Sequence, residues 1–224
     1  MVRALTRRLA LLVALSTLGI HVTNANNPPV LVIFGASYAA DWKQPALPGY
    51  TVVNRGKGGD ATDQMLARFD RDVVAAQPHA VLIWGHINNL HRAPAGGLPA
   101  AQERIKSDYR EMVARARAAG ITPILATEVT LSEAVGLRNR LAAIVGKLRG
   151  KTGYAAKINA PVRAVNDWMR EYARQETLQL LDIEKLFDDG EGYRKTEYTR
   201  DDGTHISEEG YVDLTAFAQQ QLRR

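Results

Sequence analysis

Residues 30–42 read "VLVIFGASYAADW". The first five are apolar, largely β-branched and continuous rather than alternating, the pattern of a strand covered on both faces. A Gly-Ala-Ser turn follows, and the chain then reads as a helix start. Four more runs of the same kind recur: "YTVVN" (50–54), "AVLIW" (80–84), "ITPILAT" (121–127) and "LQLLD" (178–182). Helical periodicity fills the spaces between them. Residues 62–76 put Met65, Leu66, Phe69, Val73 and Val74 on one face, and 101–119 do the same with Ile105, Tyr109, Met112, Val113 and Ala116. Residues 160–175 and 207–222 behave alike, and Gly120 is placed to end the second of these helices. Parallel strands need crossover connections, so this alternation predicts an α/β fold: a three-layer α/β/α sandwich around a central five-stranded parallel sheet. Ligands in such folds gather at the carboxyl ends of the strands.

The rest of the chain adds boundaries. With 224 residues and 46% hydrophobic content there is material for one sizeable core, and no Pro/Ser-rich linker divides it. Arg3, Arg7 and Arg8 precede the apolar run "LALLVALSTLGI" (9–20), and Thr23 and Ala25 follow. That arrangement reads as a secretory signal peptide over 1–25, with the domain over 26–224 and an exported, periplasmic or extracellular product. A membrane anchor is the rival, but the run falls short of the ~20 residues a bilayer crossing needs, so no stable span is expected after cleavage. Removing three Arg leaves 26 basic against 24 acidic residues, a charge of +2 rather than +5, which weakens any nucleic-acid reading. Cys is absent, excluding disulfides, a lipid-anchored Cys, a thiol nucleophile and thiolate metal sites. The segment 131–159, with a predicted helix at 137–149, reads as a surface insertion rather than a lid.

The residues just past each strand carry the chemistry. Ser37 stands at a strand-to-helix junction, where helix N–H groups favour developing negative charge, although taken alone it reads better as a cap. "NRGKGGDAT" (54–62) is neither a P-loop nor a dinucleotide turn; its glycines allow close backbone approach, and the plain alternative is a turn with Asp60 capping a helix. In "GHINNLHR" (85–92), Asn88 or Asn89 could put an amide at the sheet edge, or simply serve the turn. In "DDGTHISEEGY" (201–211), Asp202 and His205 share a short loop, so the carboxylate can hold one ring nitrogen while the other faces outward. Alternatively Ser207 caps the last helix and His205 is solvated. His79, His86 and His91 lack a two-His metal spacing, which argues against a metal site. Ser, Gly, Asn and Asp/His at one sheet edge amount to a nucleophile, oxyanion donors and a base with its orienting carboxylate.

Taken in chain order, "FGAS", "GKGGDAT", "GHINNL" and "DGTH" resemble the four blocks of the SGNH/GDSL hydrolase family (GDSL-like lipase/acylhydrolase), over most of the chain. The resemblance implies a flavodoxin-like sandwich and a serine esterase. It would work through Ser37, Asp202 and His205, with the oxyanion held by the N–H groups of Ser37 and Gly59 and the Asn88 amide. It implies no cofactor and no metal. The substrate would be a small-molecule, lipid or carbohydrate ester, most simply a short acyl or acetyl ester; oligomeric state is not readable. Lysophospholipase or thioesterase action on lipid acyl groups, acyl transfer to a sugar or lipid hydroxyl, and a non-catalytic envelope binding protein are the alternatives. Ala36 departs from the family's Asp, Asn89 stands where Asp commonly follows the block Asn, and His86 replaces a frequent Gly. The α/β-hydrolase fold fits less well, since Ala39 occupies the last Gly position of its elbow and its Asp and His come from separate loops. Tyr38, Trp42 and Leu47, just past Ser37, are candidates for an acyl pocket.

Overall fold

The computed structural model describes residues 28–133 and 153–222. The predicted signal peptide (1–25) and the helix at 137–149 lie outside the described residues. Five strands form one sheet: β1 (Val30–Gly35), β2 (Thr51–Gly56), β3 (Ala80–Trp84), β4 (Thr122–Ala126) and β5 (Gln179–Leu181). All neighbours are parallel, in the order β2-β1-β3-β4-β5. Leu31 lies opposite both Val52 and Ala80, which makes β1 an inner strand. Its residues Leu31 to Phe34 are fully buried, as are Val81 to Trp84 of β3, so the continuous apolar runs do mark strands covered on both faces. On the edge strand β2, Thr51 and Arg55 are exposed.

Seven α-helices are described: α1 (Ser37–Asp41), α2 (Thr62–Asp72), α3 (Ile87–His91), α4 (Leu98–Ala118), α5 (Tyr154–Gln175), α6 (Ile183–Phe187) and α7 (Glu208–Gln221). They fall into two layers. α2 packs on α4 and α4 on α5, whereas α1 meets α7 through Trp42 Nε1 donating to Thr215 Oγ1 (3.0 Å) and the Tyr211 hydroxyl donating to the Tyr38 carbonyl (2.9 Å). The helix expected at 160–175 begins at Tyr154, so it takes up the end of the supposed insertion.

Local chemistry explains where the helices stop and start. Gly120, at φ +73°, ends α4: its N–H bonds to Arg117 O and that of Ile121 reaches back to Ala116 O, the paired closure of a Schellman motif. Ser207 does cap α7, accepting from Gly210 N at 3.1 Å. Asp60 does not cap α2. Gln64 accepts the Ala61 N–H and Asn89 accepts that of Thr62, which frees the Asp60 carboxylate for Arg68.

Candidate active site

An open parallel sheet of this order binds ligands where the connections change direction, between β1 and β3. Ser37 leaves β1 and Asn88 leaves β3, so the candidate nucleophile and one candidate oxyanion donor flank that point, and Gly59 follows β2 beside them. The Ser37 turn is tightly held. Ala36 is buried and its N–H bonds to Trp84 O at 3.1 Å. Opposite it, Gly85 has φ +146°, and a Cβ there would come within 2.8 Å of the Ala36 Cβ. The two loops close only with glycine at 85 and a small residue facing it.

The candidate oxyanion side is braced by buried charge. Gly59 adopts φ +81°, a conformation other residues seldom take. Asn88 Nδ2 donates to Asp60 O at 2.9 Å, leaving the second amide hydrogen for a ligand. The buried Asp60 carboxylate accepts from Arg68 Nε at 2.6 Å, and Arg68 also donates to Gly35 O and Arg55 O, each at 2.8 Å. That guanidinium lies 4.2 Å over the Phe34 ring. One side chain therefore ties the ends of β1 and β2 to the residue after Gly59. Past β4, the Glu128 carboxylate accepts from His86 N (2.8 Å) and Ile87 N (3.2 Å) at the start of α3. Burial pushes the Glu128 carboxyl above the usual range, against those N–H donors.

The candidate base side is more open. His205 Nδ1 lies 2.7 Å from Asp202 Oδ2, while Asp202 Oδ1 accepts from the N–H groups of Thr204 and His205, both at 2.8 Å. The side chains are 48% (Asp202) and 35% (His205) exposed. Burial pulls the Asp202 carboxyl up, but the two N–H groups and the imidazole outweigh it and bring it down to about 2. The loop is latched at Thr204 O, which accepts from the Tyr38 hydroxyl (2.8 Å) and from Arg194 Nη2 (2.7 Å), and more weakly at Gly203 O, 3.5 Å from Ser132 Oγ. Arg194 is fully buried and also donates to Thr199 Oγ1 at 3.0 Å. Because Tyr38 directly follows Ser37, this latch joins the Ser37 helix to the Asp202–His205 loop, and the Tyr38 and His205 rings meet edge to face at 6.1 Å.

The Asp202–His205 pair is thus brought together, Gly59 and Asn88 meet through Asp60, and Ser37 is tied to the loop of the pair through its neighbour Tyr38. Tyr38, Trp42 and Leu47 do not form an acyl pocket: all three are buried in the core. Trp42 also touches a groove of about 640 Å³ between the 41–46 segment and α7, but none of Ser37, Gly59, Asn88 or His205 lines it. Among the described residues no three His, Asp or Glu side chains converge as metal ligands would. His86 packs edge to face on Tyr109, and His91 stacks on Tyr154. Arg68, Arg194 and Glu128 are the supports that motif reading misses.

A family model described as the GDSL-like Lipase/Acylhydrolase family matches residues 31–212. No similarity to a curated protein was found. Among solved structures, a GDSL-like lipase from Bacteroides thetaiotaomicron is 21% identical with a TM-score of 0.64, covering 86% of this chain and 87% of its own. A lipase/acylhydrolase from Enterococcus faecalis is 20% identical at a TM-score of 0.59, over 87% and 95%. The acetyl xylan esterase AlAXEase is 15% identical at 0.64, over 86% and 99%. Each of these likenesses concerns the fold.

Proposed function

This chain belongs to the GDSL-like lipase/acylhydrolase family, and on that premise we propose that it is an exported serine esterase working through an acyl-enzyme on Ser37. Ser37 Oγ attacks the ester carbonyl while His205 Nε2 takes its proton. The tetrahedral intermediate collapses, and His205 returns the proton to the leaving alkoxide oxygen. Water then repeats the sequence on the acyl-enzyme and releases the acid. Asp202 fixes the imidazole tautomer and steadies the imidazolium. The oxyanion sits between the N–H groups of Ser37 and Gly59 and the free hydrogen of the Asn88 amide.

The observation that carries this reading is the 2.7 Å Asp202–His205 pair latched, through Tyr38, to the helix that Ser37 begins. Short acyl or acetyl esters are the substrate class we put forward, since the apolar side chains after Ser37 are spent on the core. Export follows from the leader-like residues 1–25, with action in the periplasm or outside the cell.

The test is turnover of p-nitrophenyl esters of increasing acyl length by wild type and Ser37→Ala. The expected result is activity greatest on the shortest esters, unaffected by chelators and abolished in Ser37→Ala. Equal turnover by the variant contradicts the assignment. Replacing Asn88 by Ala removes one oxyanion donor and should lower kcat by ~10²–10³.

A further inference from the structure

Strand β4 stands next to β3 and ends two residues before Glu128. The three other inner or edge strands that deliver a block residue, β1, β2 and β3, each end in a loop whose chemistry the family motifs announce; β4 has none. What it delivers is a fully buried carboxylate that no cation pairs with among the described residues. Burying such a group is costly unless its oxygens are used. They are: Oε2 takes the N–H groups of His86 and Ile87, and Oε1 takes that of Val129 at 3.2 Å.

The helix so capped is α3, only five residues long, and its own N-cap residue, His86, supplies no side-chain acceptor. A single turn of helix does not hold its own geometry in isolation. Its second residue is Asn88. The support beneath Glu128 is itself rigid, because Asn166 of α5 accepts the Glu128 N–H and donates to the Glu128 carbonyl, both at 2.8 Å. A chain of fixed contacts therefore runs from α5 through Glu128 to the backbone that aims Asn88.

We propose that Glu128 is a positioning residue for the reaction, holding the start of α3 so that the Asn88 amide faces the oxyanion. This rests on the reading of Asn88 as an oxyanion donor. Reach matters to this role more than charge: Gln keeps an oxygen for the His86 and Ile87 N–H groups and gives up only the 3.2 Å acceptor facing Val129 N, whereas Asp, one methylene shorter, withdraws from them.

The experiment compares kcat and KM for Glu128→Gln, Glu128→Asp, Asn88→Ala and the Glu128→Asp/Asn88→Ala double variant, each well below its own melting temperature. Glu128→Gln is expected to stay within about threefold of wild type. Glu128→Asp should lose much of the ~10²–10³ in kcat that Asn88→Ala loses, with KM little changed. In the Asn88→Ala background Glu128→Asp should cost no more than about twofold, since it acts through the missing amide. A Glu128→Asp loss that multiplies in full onto Asn88→Ala, or a Gln variant as slow as the Asp variant, overturns the positioning role alone. An Asn88→Ala protein with undiminished kcat contradicts the oxyanion reading beneath it.

Discussion

The two sides of the candidate site are built on different principles. Gly59 and Asn88 rest on buried charge: Arg68 clamps Asp60 and the ends of two strands, and Glu128 caps α3 from within the core. Asp202 and His205 stand on a partly exposed loop: the buried Arg194 and the Tyr38 hydroxyl reach its backbone at Thr204 O, Ser132 Oγ lies 3.5 Å from Gly203 O, and the pair itself is oriented by hydrogen bonds within the loop. Dipoles that stabilise an oxyanion act by not moving, so they belong on the rigid part of the fold. A base that passes a proton from the nucleophile to the leaving group needs orientation, which a local carboxylate supplies without deep burial. The oxyanion side should therefore couple rate to stability, and the base side should not.

The largest effect expected on the base side is Asp202→Asn, which leaves the loop in place but disturbs the imidazole tautomer. The rate should fall by ~10⁴, as carboxylate-to-amide changes do in such triads, while removing this half-exposed carboxylate, held near 2, should lower the melting temperature only modestly. A large drop in melting temperature would erase the distinction between the two sides. Arg68→Leu is the matching test opposite. It leaves the buried Asp60 carboxylate only the exposed Lys57 ammonium, 3.7 Å away, and should cost up to about 3–5 kcal/mol in denaturant unfolding, along with activity. If stability is retained and only the rate falls, the clamp does not brace the fold.

Smaller changes sharpen the contrast. Tyr38→Phe removes one of two donors to Thr204 O and should cost about 1 kcal/mol or less of stability. Its effect should appear as a several-fold lower kcat with KM unchanged; no change in kcat would show that the remaining contacts hold the loop without Tyr38. Acid should act on the oxyanion side in two opposed ways: the raised Glu128 carboxyl takes its proton first in the folded chain and adds stability as the pH falls, whereas His86 removes it. Burial depresses His86 from its ordinary 6.5 to about 3, so below 6.5 the unfolded chain takes up a proton that the folded one refuses. Stability present above pH 6.5 is then lost as the pH falls towards 3, with a slope approaching about 1.4 kcal/mol per pH unit for this one proton. Asp202, held near 2, keeps its charge throughout that window. His86→Phe should flatten the slope in pH-dependent unfolding, and an unchanged slope would assign the acid sensitivity elsewhere.

Much of this is legible in the sequence, for definite reasons. The runs at 30–34 and 80–84 are continuous because both faces of β1 and β3 are covered, and a parallel order follows from the helices between them. Asp202 and His205 can be paired on paper because they are three residues apart and the loop itself makes the contact. The supports are not legible, because they depend on burial and distance. Arg68 reaches Gly35 across 33 residues, and Arg194 lies in a charged, Gly-rich stretch that looks solvated yet is fully buried. Glu128 left one trace: it stands just past the "ITPILAT" strand, at the sheet edge where chemistry collects. Tyr38, Trp42 and Leu47 look like pocket residues only because aromatic and apolar side chains beside a nucleophile serve core and pocket equally well.

The measurement that bears most directly on the central claim is the site of covalent labelling by a serine-reactive phosphonate. The protein is incubated with the reagent, digested and mapped by mass spectrometry, beside Ser37→Ala and His205→Ala. The account predicts one adduct, on the peptide carrying Ser37, absent from Ser37→Ala and formed far more slowly in His205→Ala. An adduct on another serine, or labelling of Ser37 at the same rate without His205, would contradict it.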